Sequence, residues 1–444
     1  MTDWHDDILE NCLETLLDYR GKSPPKASVG IPVLSAKVVK TSGLQQPIKQ
    51  KISFDYYAKW MVRGLPHVGD VVMTTEGPMG EVIQLTKETA QYALGQRIVC
   101  LRGKIGILNN TFLRYLLSSP SQQNILKGYS TGTTVPGISQ KALRSLPISY
   151  PPFDTQRQIG ILLSALDDKI DINRRTNETL EAMARALFRD WFVDFGPTRA
   201  KMAGEASYLA PELWELFPDR LDDEGKPEGW HYQTLDTLCE RTIGGLWGEE
   251  EETPKSPSEF ICLRGVDLQH LKETGMCPNA PKRWGNINAI QKRIIQPNEF
   301  LIASSGAGPC GRSLWLGKFT HNIDVDIPVI FSNFVKKFTT PDEAIACYIE
   351  FIISNMRRSG EIQSFINGAS VPNLDDDALL KTYTILDPGI KIIRNFFEFI
   401  VSVLNIKISK KSCTLAQLRD LLLPRLMSGE ISIRNAEKIA EDVT

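Results

Sequence analysis

The sequence lacks any run approaching the roughly 18 apolar residues that a membrane span needs. Its N-terminus, Met1-Thr2-Asp3-Trp4-His5-Asp6-Asp7, is acidic and has neither the basic nor the apolar region of a secretory signal. A cytoplasmic protein is expected. Eight cysteines, scattered from Cys12 to Cys413, include no close Cys-x-x-Cys pair, so a disulfide framework is excluded and reduced thiols are expected. Five histidines (His5, His67, His231, His270 and His321) show no metal-ligand spacing, and neither a metal nor a cofactor is expected. The formal net charge is only −2, so the chain as a whole does not carry the basic excess of a nucleic-acid binder. With 42% hydrophobic and 23% charged residues, the composition is that of an ordinary globular protein. Its 444 residues suffice for two or three domains.

Catalytic signatures are also missing. There is no G-x-x-x-x-G-K-[ST], no G-x-S-x-G, no carboxylate–lysine cluster of the nuclease kind, and no Asn-Pro-Pro-aromatic or Asp-Pro-Pro-aromatic string. One enzyme-like string exists: Gly306-Ala307-Gly308-Pro309-Cys310-Gly311 satisfies G-x-G-x-x-G, with Asp324 and Asp326 about twenty residues on. A dinucleotide site needs the last glycine to open a helix, and Gly317 interrupts the short stretch available. A tight turn is expected there instead.

What the chain does contain is a repetition. Gly132-Thr133-Thr134-Val135-Pro136-Gly137-Ile138 reappears as Gly368-Ala369-Ser370-Val371-Pro372-Asn373-Leu374, 236 residues later. Gly30–Val38 answers Glu259–Asp267, and Gly69–Gly77 answers Asn298–Gly306, both at an offset of 229. Leu180–Met183 answers Leu415–Leu418. A period this long is no solenoid unit; it describes two domain-sized halves. Short apolar runs bounded by Gly, Pro, Asn or Ser predict strands at Ile31–Leu34, Asp70–Met73, Ile98–Leu101, Phe260–Leu263, Phe300–Ala303 and Ile327–Phe331. Helical periodicity lies between them, at Thr111–Ser118 and Ala344–Ser354. Neither half shows the regular alternation of a doubly wound sheet.

Each half then leads into a long helix. Ile159, Leu163, Leu166, Ile170, Asn173, Asn177, Leu180, Ala184, Leu187 and Trp191 step by four and three, a coiled-coil type of seam. Phe397, Val401, Leu404, Ile408, Lys411, Leu415, Leu418 and Leu422 step likewise. Two comparable seams in one chain most simply bury each other. The expected architecture is therefore α+β: a first globular domain over 1–152, a long helix over 153–195, an acidic linker over 196–229, a second globular domain over 230–388, a second long helix over 389–428, and a loosely held polar tail over 429–444.

Charge is distributed unevenly. Residues 16–152 hold 17 Lys and Arg against 6 Asp and Glu, the footprint of a phosphate-binding surface, whereas 230–388 hold 15 against 20. Two segments interleave cations with aromatics: Lys49, Lys51, Tyr56, Tyr57, Lys59, Trp60 and Arg63 in the first half, and Lys282, Arg283, Trp284, Asn286, Asn288, Gln291, Lys292 and Arg293 in the second. Cationic side chains neutralise phosphates, and Arg, Lys, Asn and Gln pair with base edges. Any one of these residues is as easily core or solvated surface. As groups they favour nucleic acid.

The pattern resembles the specificity subunits of type I restriction–modification enzymes over essentially the whole chain. The resemblance is carried by Gly132–Pro136 with Leu146-Pro147-Ile148, by Ala165-Leu166-Asp167-Asp168-Lys169-Ile170 running into Asn173-Arg174-Arg175 and Asn177–Glu181, by Ala186-Leu187-Phe188 with Trp191–Phe195, by Pro227-Glu228-Gly229-Trp230, and by Leu426–Ile431. It implies two target-recognition domains that each dock on one half of a split, asymmetric DNA site. It further implies that the long helices pair antiparallel as a spacer, and that methylation and cleavage belong to partner methyltransferase (two copies) and restriction subunits. Thr133, Thr134 and Arg264 complete the candidate DNA-binding set with Lys49, Lys51, Tyr57, Lys59, Arg63, Lys282, Arg283, Asn286, Lys292 and Arg293. Phe188, Trp191 and Phe192, with Leu422, Leu423 and Leu426, exceed what one shared seam needs and are expected to dock the methylating partner. Asp375-Asp376-Asp377 follows the second repeated turn, and acid there departs from the first half. A self-contained methyltransferase and a coiled-coil adaptor without DNA readout are the alternatives.

Overall fold

The computed structural model describes residues 4–441 apart from 20–22, 133, 275–276, 278, 318–326, 369 and 407–408. The chain forms two compact units: Met1–Asp171 with Lys411–Thr444, and Ile172–Lys410. The boundary falls inside one continuous helix, Phe153–Phe192, because its two ends are buried in different cores.

In the first unit the main sheet is antiparallel, in the order Leu13–Asp18, Ile98–Gly103, Val71–Thr75, Met79–Gln84. Val71–Thr75 is buried at every position, as a central strand covered on both faces is. Helix Asn110–Ser118 packs Phe112, Leu113 and Leu116 into the core beside this sheet. Asn109 caps it, accepting from the Thr111 and Phe112 amides at 3.0 and 3.1 Å. A smaller sheet sets Ile31–Leu34 between antiparallel Lys51–Ile52 and parallel Ala93–Leu94. His5–Ile8 pairs antiparallel with Pro147–Tyr150 just before the long helix begins. Ile159, Leu163 and Leu166 of that helix share a core with Leu415, Leu418, Leu422 and Leu426 of helix Ser409–Met427. Asp167 ties them polarly, accepting from Arg419 and Arg114 at 2.8 Å each and from the Tyr115 hydroxyl at 2.7 Å.

The second unit repeats the strand pairings. Its main sheet runs Glu240–Gly244, Val335–Thr339, Glu299–Ala303, Ser313–Trp315, again antiparallel. In both units the order across the sheet is first, fourth, second and third strand along the chain. Ser258–Leu263 lies between antiparallel Lys282–Gly285 and parallel Val329–Phe331. His231–Thr234 pairs antiparallel with Thr384–Asp387 just before helix Ile390–Ile406. Helix Glu343–Ser359 buries Ile349, Ile353 and Met356 in an aromatic-rich core with the end of the long helix.

The structure differs from the sequence-based expectation at three places. The first long helix ends at Phe192 rather than at 195. The expected linker carries helices Gly196–Met202 and Pro211–Trp214, and its Phe217 is buried against Trp191. The tail forms helix Ile433–Glu441, whose Ala436 and Ala440 enter the first unit's core with Ile431; apolar residues at helical spacing give it a buried face. Of the expected seams, Asn173 and Asn177 are buried. Ile408 and the side chains of Leu404 and Lys411 lie outside the described residues.

Candidate nucleic-acid interface

The repeated Gly-x-x-Val-Pro strings form the same device in both units. In the first, Thr131 and Gly137 exchange amide–carbonyl bonds of 2.8 and 2.9 Å, closing a loop that the Ile138 amide ties to the Thr75 carbonyl at 3.0 Å. In the second, the Leu374 amide reaches the Ser304 carbonyl at 2.8 Å, and the Gly306 amide reaches the Pro372 carbonyl at 3.1 Å. Each loop is thus fastened to the exit of a buried central strand. Gly132 and Gly368 have φ of +97° and +91°, and a Cβ on either would stand 2.8 or 2.7 Å from the carbonyl oxygen of Val135 or Val371. Only glycine fits that turn without strain. The loops present Thr134 and Val135 (48% exposed), and Ser370 and Val371 (65% exposed), to solvent. Thr133 lies outside the described residues.

The two cation–aromatic segments occupy matching elements. The Leu34 carbonyl accepts from Gly95, and the Leu263 carbonyl accepts from Ser332, which sets the two small sheets in register. In that register Lys51 stands opposite Pro32, and Lys282 opposite Ile261. Each edge strand is followed by a short helix, Phe54–Trp60 or Ile287–Gln291. Lys49, Lys59, Lys282 and Lys292 are exposed and Lys51 is half-buried. Lys282 leans on Glu259 at 3.4 Å. Arg283 lies over the Trp247 ring at 4.6 Å and reaches Glu250 at 3.1 Å.

Other candidates have intramolecular partners that sequence spacing does not reveal. Arg264 forms a fork on Asp267 at 2.9 and 3.0 Å and donates to the Asn279 carbonyl at 2.7 Å. Asn286 caps its helix, accepting from the Asn288 amide at 3.0 Å. Arg293 donates to the Gly244 and Ala289 carbonyls at 2.8 and 2.7 Å. Arg63 donates to the Asp18 carbonyl and lies 5.9 Å from the Tyr19 ring centre. Tyr57 is half-buried against the small sheet's core, and burial pushes its hydroxyl pKa up. These five hold the frame first. The exposed lysines are the freer groups.

Buried charge supports the same frame. Asp70, 1% exposed at the head of its strand, accepts from Arg102 Nε and Nη2 at 2.8 Å each and from the His67 amide at 2.7 Å. The hydrogen bond to Asp70 raises the Arg102 pKa, so this cation is committed. Glu299 stands at the matching place, accepting from Lys337 at 2.8 Å and from the Gln296 amide at 2.8 Å. Two of the three acids after the second repeated turn are similarly occupied. Asp375 accepts from the Ala378 amide at 3.0 Å as a helix cap, and Asp376 pairs with Arg241 at 2.6 Å. They answer Ser139, which caps the corresponding helix of the first unit. Acid there is a capping choice.

Gly306–Gly311 connects antiparallel strands Glu299–Ala303 and Ser313–Trp315, so no helix follows the last glycine and the string is a hairpin turn. Asp324 and Asp326 lie outside the described residues. Among the described residues no group of three His, Cys, Asp or Glu side chains is arranged to hold a metal ion. No helix among them is long and apolar enough to cross a membrane.

Residues 19–182 match the family model for the type I restriction modification DNA specificity domain. The chain is 26% identical to the type I restriction enzyme HindI specificity subunit of Haemophilus influenzae, covering 82% of this chain and 86% of that protein. It is 24% identical to the MjaIX specificity subunit of Methanocaldococcus jannaschii, over 82% and 78%. Over most of its length the chain is similar to type I restriction enzyme specificity subunits. The crystal structure of a type I restriction–modification S subunit from M. genitalium shares the fold over 96% of both chains, with a TM-score of 0.54 at 14% identity.

The six residues expected to dock a partner need correction. Phe188, Trp191 and Phe192 are buried in the second unit's core, where Phe192 meets Tyr348 at 4.9 Å and Phe396 at 5.3 Å between ring centres. Leu422, Leu423 and Leu426 are buried in the first unit's core. The surplus of apolar side chains over one helical seam is taken up by the globular part beside each helix end. These residues therefore build the subunit and offer no free docking surface.

Proposed function

We propose that this subunit reads a two-part, asymmetric duplex DNA site, one part with each unit, and that it positions methyltransferase and restriction subunits that perform the chemistry. The observation that carries this reading is the matched construction of the units: one strand order, one register of Lys51 and Lys282, and one glycine-dependent loop at the same strand exit. Duplicated readers with different exposed side chains suit a target whose halves differ. Each presents a loop with an exposed hydroxyl, Thr134 or Ser370, and carries exposed lysines, groups that contact phosphates and base edges.

The long helices act as the spacer in this reading. Asp167 meets Arg419 in one unit, and Phe188 and Phe192 meet Phe396 in the other. In this reading the two long helices run antiparallel. Forty residues at 1.5 Å make a rod of about 60 Å. The chain itself is read as non-catalytic and without a cofactor, in a cytoplasmic complex with two methyltransferase subunits. The hairpin at Gly306–Gly311 removes the feature that favoured a self-contained methyltransferase. The lysine-bearing edges favour DNA readout over a bare adaptor.

Methylation-site mapping of a host with and without the chain tests this. A split motif of two unlike halves, lost on deletion, is expected. A methylated site that survives deletion contradicts the reading.

A further inference from the structure

The second unit, acidic as a whole, contains a pair of arginines without acidic partners. Arg312 follows the Gly306–Gly311 turn, and its Nη1 donates to the Val266 carbonyl at 3.4 Å. Arg357, in the last turn of helix Glu343–Ser359, donates through Nη2 to the Gly308 carbonyl at 2.9 Å. Arg357 is thus fixed on the turn and Arg312 on the neighbouring helix Gly265–Thr274, and the turn is fastened to the exposed Gly368–Asn373 loop through the Gly306 amide. The Nε of each is buried without a hydrogen-bond partner. Among the described residues neither arginine forms an ion pair with a carboxylate.

This is a costly arrangement for a folded protein left to itself. A buried guanidinium donor without an acceptor loses its hydration for nothing, and two like charges near each other repel. Burial, then the neighbouring Arg312, lowers the Arg357 pKa. The helix C-terminus favours one cation there, but it gives no reason for a second. At the first unit's corresponding hairpin the cation has a carboxylate, Arg97 meeting Glu76 at 3.3 Å, whereas Arg312 and Arg357 are bonded to carbonyls. Close to that hairpin the first unit uses a neutral donor, Gln123, on the Gly80 carbonyl of strand Met79–Gln84 at 2.8 Å. The arginines therefore answer to something outside the unit. An anion with several acceptor oxygens, meeting the exposed Nη edges of both side chains, offsets both charges.

We propose that Arg312 and Arg357 clamp a DNA backbone phosphate, giving the second unit the grip that its overall charge does not supply. This rests on the DNA-reading function proposed above and names residues for it. A phosphate contact is blind to sequence, so the clamp would add affinity and salt dependence without choosing bases.

The test uses the full chain, alone and co-purified with its methyltransferase subunits, binding cognate and unrelated duplexes from 50 to 300 mM salt. Arg357→Gln keeps a neutral donor for the Gly308 carbonyl, so folding should survive; circular dichroism checks it. The Arg312→Gln/Arg357→Gln double variant should bind both duplexes roughly tenfold or more weakly, with a log–log salt slope reduced by about 1 to 2. The methylated motif should stay unchanged. Arg357→Lys, which keeps the charge, should restore most of the slope. An unchanged slope in the double variant, while the parent binds DNA, overturns the clamp and leaves the DNA reading standing. A change in one base of the methylated motif overturns the phosphate assignment in favour of base contact. Stabilisation by inorganic phosphate that the variants lose, with duplex binding intact, assigns the pair to a free anion instead. Absence of duplex binding by the parent, alone and in complex, overturns both readings.

Discussion

Asp70 and Arg102 form a two-pronged ion pair, 2.8 Å at each prong, between the head of one central strand and its neighbour in the sheet. Glu299 and Lys337 make the same connection in the other unit with different side chains. The carboxylate also holds the tight approach to its strand, through the His67 amide or the Gln296 amide. Breaking a buried pair from one side leaves the other charge stranded, at about 3–5 kcal/mol. Asp70→Ala should therefore lower the denaturation midpoint of the first unit markedly. Asp70→Ala/Arg102→Met should recover much of the loss, because no lone charge remains. Chemical denaturation followed by tryptophan fluorescence and circular dichroism gives both values. Equal stability of the single variant and the parent would show that the pair is idle.

The glycine loops give a prediction about recognition. Gly132→Ala places a methyl 2.8 Å from the Val135 carbonyl at a φ of +97°, a strain of about 1–3 kcal/mol that displaces the loop. The loop lies outside the main core, so the melting temperature should change little. Methylation at the intended site should fall. Gly368→Ala should do the same through the other unit. Full methylation by either variant counts against the loops as DNA-facing elements.

Trp191 tests the reassignment of the aromatic cluster. It is 2% exposed, with Phe217 at 5.3 Å and Phe396 at 6.1 Å between ring centres. Trp191→Ala should cost the second unit about 3–5 kcal/mol. Loss of partner binding should follow loss of folding and not precede it. A variant as stable as the parent that no longer co-purified with methyltransferase subunits would return Trp191 to a docking role.

How much of this was legible in the sequence follows from what each signal measures. The strand Ile31–Leu34 and the core of Phe260–Leu263 were readable because short apolar runs between turn residues need burial on two faces. The hairpin at Gly306–Gly311 was readable because no room for a helix followed. Edge strands such as His5–Ile8 were not, since three of that strand's four residues are exposed and its pairing is supplied from Pro147–Tyr150, far along the chain. The site was less readable than the fold. A lysine or arginine in a basic stretch looks the same whether it is free like Lys59 or spent on a carbonyl like Arg293. Arg312 and Arg357 were invisible for the converse reason: they come from positions 45 residues apart, and only the fold brings them to one turn. Trp191 misled because a helix seam alone does not show the sheet and linker that cover its end.

The central claim is that the units read separately. Exchanging residues 5–150 for the same segment of a relative with another target tests it most directly. That segment keeps His5–Ile8 together with Pro147–Tyr150, so the unit's closing strand pair moves as a whole. Methylation-site mapping of the hybrid should show one half of the split motif replaced, the other half intact, and the spacing between them unchanged. A hybrid that methylates a motif altered in both halves would contradict the account.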